Sequence, residues 1–424
     1  MFDDVALRVR DDAVKTQSCR AGPGRMISHI ANTGERTSNP TVTIILGAGA
    51  SAACDPCRYP ALRELLSRML QDVGSLSSPG AAKQGLYLAY AIRTAHRLDG
   101  PSPEGLGTGV IQTEVERVKR LSPRLDEVFG TLEGPEGETR AYWALASAIG
   151  IYMYRMYETE PNLKSKAHRA LLDLVDKMVS RGTVVNVIDF NWDCLVERMW
   201  WSYHGYGFGW NCGRNRHVIE GVGGENEPTM SELAKAGSFR KSPWDEEERT
   251  YARRARLIKP HGDMCTFLRG QADIFYCGGR HGQTTFGLFP RRLADMGSVD
   301  EDVRSSILPP TNSRWRHEHK FYDEEVDALK AVLTQSDVVA IIGWSARGAD
   351  SFYEKIFRDA MGQRQRPPRV TVVDKTSDGK PNVDLESRAR KLFGEKVNLC
   401  GWWQGFSCEA VEWLRDRIGS RMVM

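Results

Sequence analysis

The sequence predicts an α/β fold: a Rossmann-like, mostly parallel sheet with helices on both faces and large helical and loop inserts. Short runs of β-branched and apolar residues, such as 41–46 and 338–343, alternate with longer segments of helical periodicity. This alternation is typical of parallel sheets whose connections cross back over the sheet as helices. The composition, 41% hydrophobic and 27% charged over 424 residues, suits a globular chain that buries a sizeable core.

The composition of the chain changes at Pro40. Residues 1–40 mix charged residues with Gly, Ser, Thr and Asn, which indicates a loose N-terminal arm. Residues 41–424 are interpreted as one α/β domain with inserts at about 74–180 and 205–255. The inserts are large compared with the connections that such a sheet needs.

Six strands are expected in this domain, because each is a short, largely apolar and β-branched run. Their expected positions are 41–46, 183–190, 256–259, 338–343, 369–374 and 396–400. Residues 264–310 alternate short apolar pieces with glycine and indicate a β-rich excursion. Helices are expected where apolar residues recur every three or four positions. They are placed from about Pro60, from Leu195, and at 85–98, 111–129, 138–159, 164–181, 316–334, 350–361 and 408–419.

Bulk properties narrow the classes of partner. A formal net charge of +3 is too small by itself to indicate nucleic-acid binding, which needs Lys and Arg concentrated on one face. No stretch approaches the run of about 20 apolar residues that a membrane span needs. Six charged residues among the first twelve interrupt any signal-peptide core. We therefore expect a cytoplasmic protein without membrane contact or direct nucleic-acid binding, its nine cysteines reduced.

A glycine-rich turn follows the first strand. Gly47-Ala48-Gly49-Ala-Ser51 leads from the apolar run into the next helical segment. A turn of this kind lets backbone N–H groups approach a phosphate. It departs from the usual G-x-G-x-x-G pattern, since Ala52 stands at the third glycine position. The turn by itself is therefore compatible with two interpretations, a phosphate loop and a tight strand-to-helix turn.

Three further motifs follow later strands. The four motifs, in order, are Gly-Ala-Gly-Ala-Ser (47–51), Phe-Asn-Trp-Asp (190–193), Lys-Pro-His-Gly (259–262) and Ile-Gly-Trp-Ser (342–345) with Asp350. In this order and context the chain resembles sirtuin-like domains over about residues 41–405. The resemblance implies an NAD-binding domain of Rossmann-like architecture.

The resemblance implies three catalytic residues. Asn191 and Asp193 match the Asn-x-Asp motif that lies near the nicotinamide ribose, and His261 matches the catalytic histidine. A histidine with an ordinary pKa can accept a proton near neutral pH. Each position also has a structural interpretation: His261 as a core hydrogen-bonding residue, and Asp193 as the N-cap of the following helix. Trp192 and Trp344 are interpreted as packing residues.

The resemblance also implies a set of cofactor-binding residues, which share positions at strand ends or in the glycine loop. They are Gly47, Ala48, Gly49, Ser51, Arg58, Gly343, Ser345 and Asp374. The first four match the pyrophosphate loop, and Gly343 and Ser345 match a late phosphate or ribose contact. Asp374 stands where an adenosine-ribose partner is expected, a position that often holds Asn in sirtuins.

Two departures separate the chain from sirtuin deacetylases. Deacetylases carry a zinc ribbon with two Cys-x-x-Cys pairs, because structural zinc takes four ligands. Here only Cys54-Asp-Pro-Cys57 has that spacing, so no zinc is expected. The Asp-Phe-Arg element of deacetylases is also missing, and Arg58 is expected to substitute for its arginine. The large inserts are similar to those of divergent bacterial sirtuin-like proteins.

These departures favour hydrolysis of NAD over protein deacetylation. The bond to nicotinamide breaks through an oxocarbenium-like transition state, so orientation, exclusion of bulk water and one nucleophile are the main requirements. With NAD as substrate and water as nucleophile, the products are ADP-ribose and nicotinamide. Two alternatives stay open: an NAD-dependent protein deacylase or ADP-ribosyltransferase, and a non-catalytic module that senses NAD or ADP-ribose.

The biological setting follows from the resemblance alone. Divergent bacterial sirtuin-like proteins act in antiphage defence, where they deplete NAD on activation. For this chain the resemblance implies a homo-oligomer and a possible HerA-type ATPase partner in trans, since the remaining sequence shows no recognisable sensor or ATPase domain.

Overall fold

The structure is a computed structural model. It describes residues 40–54, 62–73, 79–100, 108–121, 123–133, 139–158, 165–197, 199, 209–210, 216–218, 254–264, 266–269, 273–276, 303–308, 320–344 and 351–419. The predicted N-terminal arm lies outside these residues except for Pro40. The predicted insert at 205–255 lies outside them apart from 209–210, 216–218 and 254–255. The chain from Asn39 to Met424 is one compact unit.

A seven-stranded parallel sheet forms the centre of this unit. Its strands, in chain order, are β1 (Thr41–Leu46), β2 (Val184–Asp189), β3 (Gly209–Trp210), β5 (Ala255–Ile258), β9 (Val338–Ile342), β10 (Arg369–Val373) and β11 (Asn398–Trp402). They are arranged in the order β11-β10-β9-β1-β2-β5-β3, and all six neighbouring pairs are parallel. The predicted α/β fold and its six strands are confirmed, and β3 is an additional edge strand.

Helices cover both faces of this sheet, as two apolar faces require. On one face, α7 (Lys166–Ser180) and α11 (Cys408–Gly419) pack on side chains such as Ile44 and Val187. On the other face lie α8 (Lys320–Gln335), α9 (Ser351–Gly362) and α10 (Val383–Phe393), around Ile45 and Ile341. The alternation of Ile44 and Ile45 between the two cores follows from the two-residue period of a strand.

A separate helical layer has its own core. It contains α2 (Leu62–Asp72), α3 (Pro79–Ala95), α4 (Thr108–Lys119), α5 (Leu125–Leu132) and α6 (Thr139–Glu158), whereas the five-residue α1 (Ala48–Ala52) follows β1 directly. Trp192, Met264 and Leu308 join the core of this layer, although they follow strands or precede α8. The helical layer therefore packs against the loops at the end of the central sheet.

The single helix predicted at 111–129 is wrong. α4 ends at Lys119 and α5 begins at Leu125, with Pro123 between them. Proline has no N–H to donate and its ring clashes with the preceding turn, so a regular helix does not continue through this position.

A second, four-stranded sheet has the order β4-β7-β6-β8. Its strands are β4 (Arg216–Val218), β6 (Thr266–Arg269), β7 (Asp273–Tyr276) and β8 (Val303–Ser305). β6 pairs antiparallel with β7 and β8, whereas β4 pairs parallel with β7. Three of these strands confirm the β-rich excursion predicted at 264–310. Among the described residues, no helix combines the length and the apolar character that crossing a membrane requires.

A buried histidine in α7 makes the stability of this fold depend on pH. His168 is 1% exposed, and its Nδ1 lies 2.7 Å from the hydroxyl of Ser165, the N-cap of α7. Burial lowers the pKa of His168 to about 4. The unfolded chain therefore binds a proton below about pH 6.5 that the folded chain binds only below about pH 4.

The contribution of His168 to the free energy of unfolding is consequently expected to fall as the pH drops from about 6.5 towards 4, by roughly 2–3 kcal/mol at about pH 4.5. The variant His168→Gln removes this titration, so its stability relative to wild type should rise by about that amount between neutral and acidic pH. Urea unfolding at the two pH values measures the difference. His96→Gln, at an exposed histidine, is the control and should behave as wild type; equal acid sensitivity of all three proteins contradicts the prediction.

Candidate functional site

The four sequence motifs lie side by side at the carboxyl edge of the central sheet. The register places Leu46 beside Asp189 and Ile342, so β1, β2 and β9 end at the same level. Ile188 of β2 likewise pairs with Ile258 of β5. The loops after these four neighbouring strands carry the glycine turn, Asn191, His261 and Gly343.

The strand order reverses at this edge. The chain passes from β1 to β2 and β5 on one side, and β9 then lies on the opposite side of β1. Crevices at such reversals, outside the carboxyl ends of the strands, are the usual ligand sites of open α/β sheets. The loops after β1 and β9 are therefore the expected position of a ligand.

The loops after β1 and β9 are packed directly against each other. Gly49 donates its N–H to the carbonyl of Gly343 over 2.9 Å, and Gly47 donates to Ile342 over 3.0 Å. A Cβ atom on Gly47 would lie 2.6 Å from the Trp344 Cα. Gly343 has a φ of +62°, and a Cβ atom there would overlap the backbone of Ala50. These glycines are predicted to contact phosphate, but the packing of the two loops already requires them.

The remaining residues of the glycine turn differ in exposure. Ala48 and Gly49 are exposed at the edge of the sheet, whereas Ser51 is 4% exposed. The Ser51 hydroxyl accepts a hydrogen bond from the Asn191 side chain. The part of the turn that is open to a ligand is therefore Ala48–Gly49.

Asn191 connects the loop after β2 to the glycine turn. Its Nδ2 donates to the Gly47 carbonyl over 3.2 Å and to the Ser51 hydroxyl over 3.1 Å. Its backbone N–H donates to the Asp189 carboxylate over 3.0 Å. With 8% exposure the residue is buried, and it is held through both its side chain and its backbone. The structure thus brings the first and second motifs into direct contact.

His261 lies after β5 in an aromatic environment. Its ring is 5.1 Å from that of Phe190 and 4.9 Å from that of Tyr353, and the residue is 3% exposed. The Tyr353 hydroxyl donates to the Pro260 carbonyl over 2.7 Å, which fixes the turn before the histidine. The backbone carbonyl of His261 accepts from the Leu308 N–H over 2.8 Å.

Phe190 links the histidine to the loop after β9. Its ring stacks on Trp344 with a centroid distance of 5.0 Å and an interplanar angle of 4°. Trp344 is 4% exposed and also stacks on Phe357, which confirms its interpretation as a packing residue. Trp192 is 6% exposed and donates its indole N–H to the Leu308 carbonyl over 2.8 Å, so it is a packing residue too.

Asp193 has the local role expected of an aspartate before a helix. Its Oδ1 accepts the N–H of Leu195 over 3.0 Å, at the start of the helical turn that begins there. Aspartate is favoured at this location because its oxygen pairs with an N–H that has no partner within the helix. Because the helical residues begin at Leu195, this bond forms a local turn one residue before the N-cap position, and both the capping role and a role in chemistry stay predictions.

Asp374 lies at the same edge, at the end of β10, which neighbours β9. It is half-buried, and its carboxylate is 3.5 Å from the Asn382 side-chain nitrogen. The predicted ligand residues Arg58 and Ser345 lie outside the described residues, as do Asp350 and Cys57. The described part of the predicted set thus lies along one edge of the sheet.

A buried charged network lies beneath Asn191 and His261. Lys259 is 0% exposed, and its Nζ donates to Asp189 Oδ2 over 2.8 Å and to the Asp193 carbonyl over 2.6 Å. The same Nζ is 3.3 Å from Glu197 Oε1. Asp189 and Lys259 were not predicted as site residues. The sequence feature that could have indicated them is a pair of opposite charges, Asp189 at the end of β2 and Lys259 after β5.

Burial and mutual interaction shift the pKa values of this network. Burial raises the pKa of Glu197 to about 8, with Lys259 opposing the shift and Asp189 and Asp263 adding to it. Burial also raises the pKa of Asp189 to about 6 against the effect of Lys259. For Lys259 burial opposes the charge, but the Asp189 and Glu197 carboxylates outweigh it and raise the pKa well above the usual value. Burial therefore favours the protonated form of Glu197, whereas the surrounding carboxylates favour the charged form of Lys259.

This protonation predicts a second pH effect on stability, opposite in sign to that of His168. Between about pH 4.5 and 8 the folded chain binds the Glu197 proton and the unfolded chain does not, so stability is lost as the pH rises through this window. Glu197 contributes a slope of about 1.4 kcal/mol per pH unit, which His168 offsets below about pH 6.5. Glu197→Gln keeps the uncharged shape and should flatten the unfolding free energy between about pH 6.5 and 8. Glu116→Gln, whose side chain is 51% exposed, should retain the wild-type slope; a retained slope in Glu197→Gln refutes the assignment.

One group of described residues has the composition of a metal site. Cys194, Glu197 and Asp263 are buried and each offers a ligand atom, these atoms lying within 4.8 Å of one another. The Lys259 ammonium, 3.3 Å from the Glu197 carboxylate, already supplies positive charge at this position. A divalent cation beside it would be repelled, so the donor set fits a metal poorly.

No protein-family model and no curated protein matches this chain.

Proposed function

We propose that this protein hydrolyses NAD, releasing nicotinamide and ADP-ribose. The observation that carries the proposal is the contact of Asn191 with the glycine turn at the carboxyl edge of the sheet, where the strand order reverses. His261 follows the neighbouring strand β5 at the same edge and packs against Phe190, the residue before Asn191. The resemblance to sirtuin-like domains associates three groups with NAD: the amide of Asn191, the imidazole of His261 and the exposed glycine turn.

Each residue has a specific task in this proposal. The exposed Ala48 backbone would contact the pyrophosphate, since the Gly49 N–H is already bonded to the Gly343 carbonyl. Asn191 bonds to the same turn, and its side chain would orient the ribose or the attacking water. His261 would accept a proton from that water or from a ribose hydroxyl. The rings of Phe190 and Tyr353 beside His261 support the proposal, because an apolar wall limits the access of bulk water.

Hydrolysis also fits the small number of groups that the reaction needs. An oxocarbenium-like transition state requires orientation and one nucleophile, and water supplies the nucleophile. On the resemblance to divergent sirtuin-like proteins, we extend the proposal to depletion of cellular NAD in antiphage defence, by a homo-oligomer with a HerA-type ATPase acting in trans.

The test is incubation of the purified protein with NAD, alone and with a HerA-type ATPase, while nicotinamide release is followed by chromatography. Equimolar nicotinamide and ADP-ribose support hydrolysis. O-acetyl-ADP-ribose formed in the presence of an acetylated peptide would show a deacylase instead. Binding of NAD without nicotinamide release under either condition would show a sensing module, and both of these outcomes overturn the proposal.

A further inference from the structure

Lys259 is fully enclosed within the charged network beneath the site. It directly follows β5, two residues before His261, and is 0% exposed. Its backbone N–H donates to the Glu325 carboxylate of α8 over 2.7 Å. The lysine is thus held through its backbone by α8, and its side chain reaches towards the neighbouring β2 loop.

The contacts of the Lys259 ammonium connect this loop to both sides of Asn191. Asp189, two residues before Asn191, accepts from Nζ with one oxygen and from the Asn191 N–H with the other. Asp193, two residues after Asn191, accepts from Nζ with its backbone carbonyl. Asn191 therefore lies in a short loop whose two ends are both bound to a single ammonium group.

Buried acidic residues surround Lys259, and one of them lies closest to its ammonium group. Four such residues, each 2% exposed or less, bond to Lys259 or interact with its charge: Asp189, Glu197, Asp263 and Glu325. Lys259 donates at 2.8 Å to Asp189 and lies farther, 3.3 Å, from Glu197. Charge-assisted hydrogen bonds of this length are roughly twice as strong as neutral ones. The Lys259–Asp189 pair is consequently a strong link between the β2 and β5 loops.

We propose that Lys259 is a positioning residue that holds the Asn191 loop in register with His261, an inference that rests on the proposed NAD hydrolysis. Because its ammonium group is fully buried, the lysine acts through Asp189 and the Asp193 backbone and not by contact with a ligand. Displacement of a catalytic group by about 1 Å can lower a rate by about 10²-fold.

If the Lys259–Asp189 pair had a purely structural role, its removal would be expected to leave the Asn191 loop and kcat unchanged. Replacing such a pair with uncharged groups of similar shape often leaves stability unchanged. The double variant Lys259→Met/Asp189→Asn keeps side-chain volume and removes both charges of the pair together. The amide oxygen introduced at position 189 can still accept the Asn191 N–H, so only the link to the ammonium is removed. Lys391→Met, at a side chain that is 61% exposed, is the matched control.

Two measurements on these full-length variants test the proposal. Hydrogen exchange of the Asn191 and Leu195 amides should be about ten- to a hundredfold faster in the double variant, because the ammonium no longer restrains the ends of the loop. The kcat for nicotinamide release should fall by about 10²-fold, while the Kd for NAD stays within about threefold of wild type. Asp189→Asn alone retains the lysine and its bond to the Asp193 carbonyl, so its exchange rates and kcat should lie between those of wild type and of the double variant. It should nevertheless be the less stable of the two variants, because it leaves one charge of a buried pair.

The outcomes separate this inference from the proposed function. Wild-type exchange rates or wild-type kcat in a folded double variant overturn the positioning role even if the protein hydrolyses NAD. A wild-type protein that releases no nicotinamide overturns the proposed function and the catalytic part of this inference. In that case the exchange measurement still decides whether Lys259 holds the Asn191 loop.

Discussion

Replacing His261 with alanine is expected to lower the rate of nicotinamide release from NAD by about 10²–10⁴-fold, the usual contribution of a general base. The loss should appear in kcat and not in the Kd for NAD. His261 is 3% exposed within an aromatic environment, whereas the glycine turn proposed to contact the pyrophosphate follows a different strand. Steady-state kinetics measures kcat, and calorimetry measures the Kd for NAD separately. Asn191→Ala should show a comparable loss.

Alanine at position 261 also leaves a cavity between Phe190 and Tyr353, so a second substitution is needed. His261→Gln retains a polar side chain of similar size but does not accept a proton near neutral pH. It should unfold close to the wild-type temperature and still lose kcat, whereas His96→Ala at an exposed position should keep it. Wild-type kcat in a folded His261→Gln would falsify the assignment of His261 as the base.

Gly343→Ala is expected to lower the free energy of unfolding by about 2–5 kcal/mol, from two costs that add. The residue has a φ of +62°, which costs a side-chain-bearing residue about 1–2 kcal/mol. Its Cβ would in addition overlap the backbone of Gly49 and Ala50, and overpacking of this kind costs typically about 1–3 kcal/mol. Because the displaced atoms belong to the glycine turn, binding of NAD should weaken in the same variant.

The matched control is Gly379→Ala. Gly379 has a similar φ of +70°, but nothing lies within 4 Å of the position that a Cβ atom would take there. Its replacement should cost only the backbone contribution, about 1–2 kcal/mol. Urea unfolding of both variants isolates the contribution of the contact between the two loops. Equal losses in the two variants would show that this contact is not tight.

The regular elements of the central sheet were predictable from short-range patterns. Runs such as 41–46 and 369–374 are largely apolar on both faces, as a strand covered by helices on both sides requires. The prediction failed at 111–129, where apolar periodicity continues across Pro123 although the helix does not. Periodicity reports which face is buried, whereas proline removes a backbone donor whatever the pattern is.

The candidate site was only partly predictable. Asn191 and His261 are predicted from the resemblance of four short motifs to sirtuin-like domains, and the structure places both after strands at one edge of the sheet. Asp189 and Lys259 were missed as partners, since 70 residues separate them in the sequence and only the register of β2 against β5 brings them together. The sequence indicates Gly47 and Gly343 only as predicted phosphate contacts. The structure shows that Gly47 and Gly343 are required where two loops pack against each other.

The positions of the main strands, the loops that carry polar residues and the turn after β1 follow from the sequence itself, because β-branched runs and glycine act within a few residues. Three other features depend on tertiary structure: the strand order β11-β10-β9-β1-β2-β5-β3, the burial of Lys259 and the contact of Asn191 with the glycine turn. These features require segments far apart in the chain to exclude water together. Burial then raises the pKa of Glu197 and makes the pairing of Lys259 with Asp189 strong, and neither effect exists before the chain has folded.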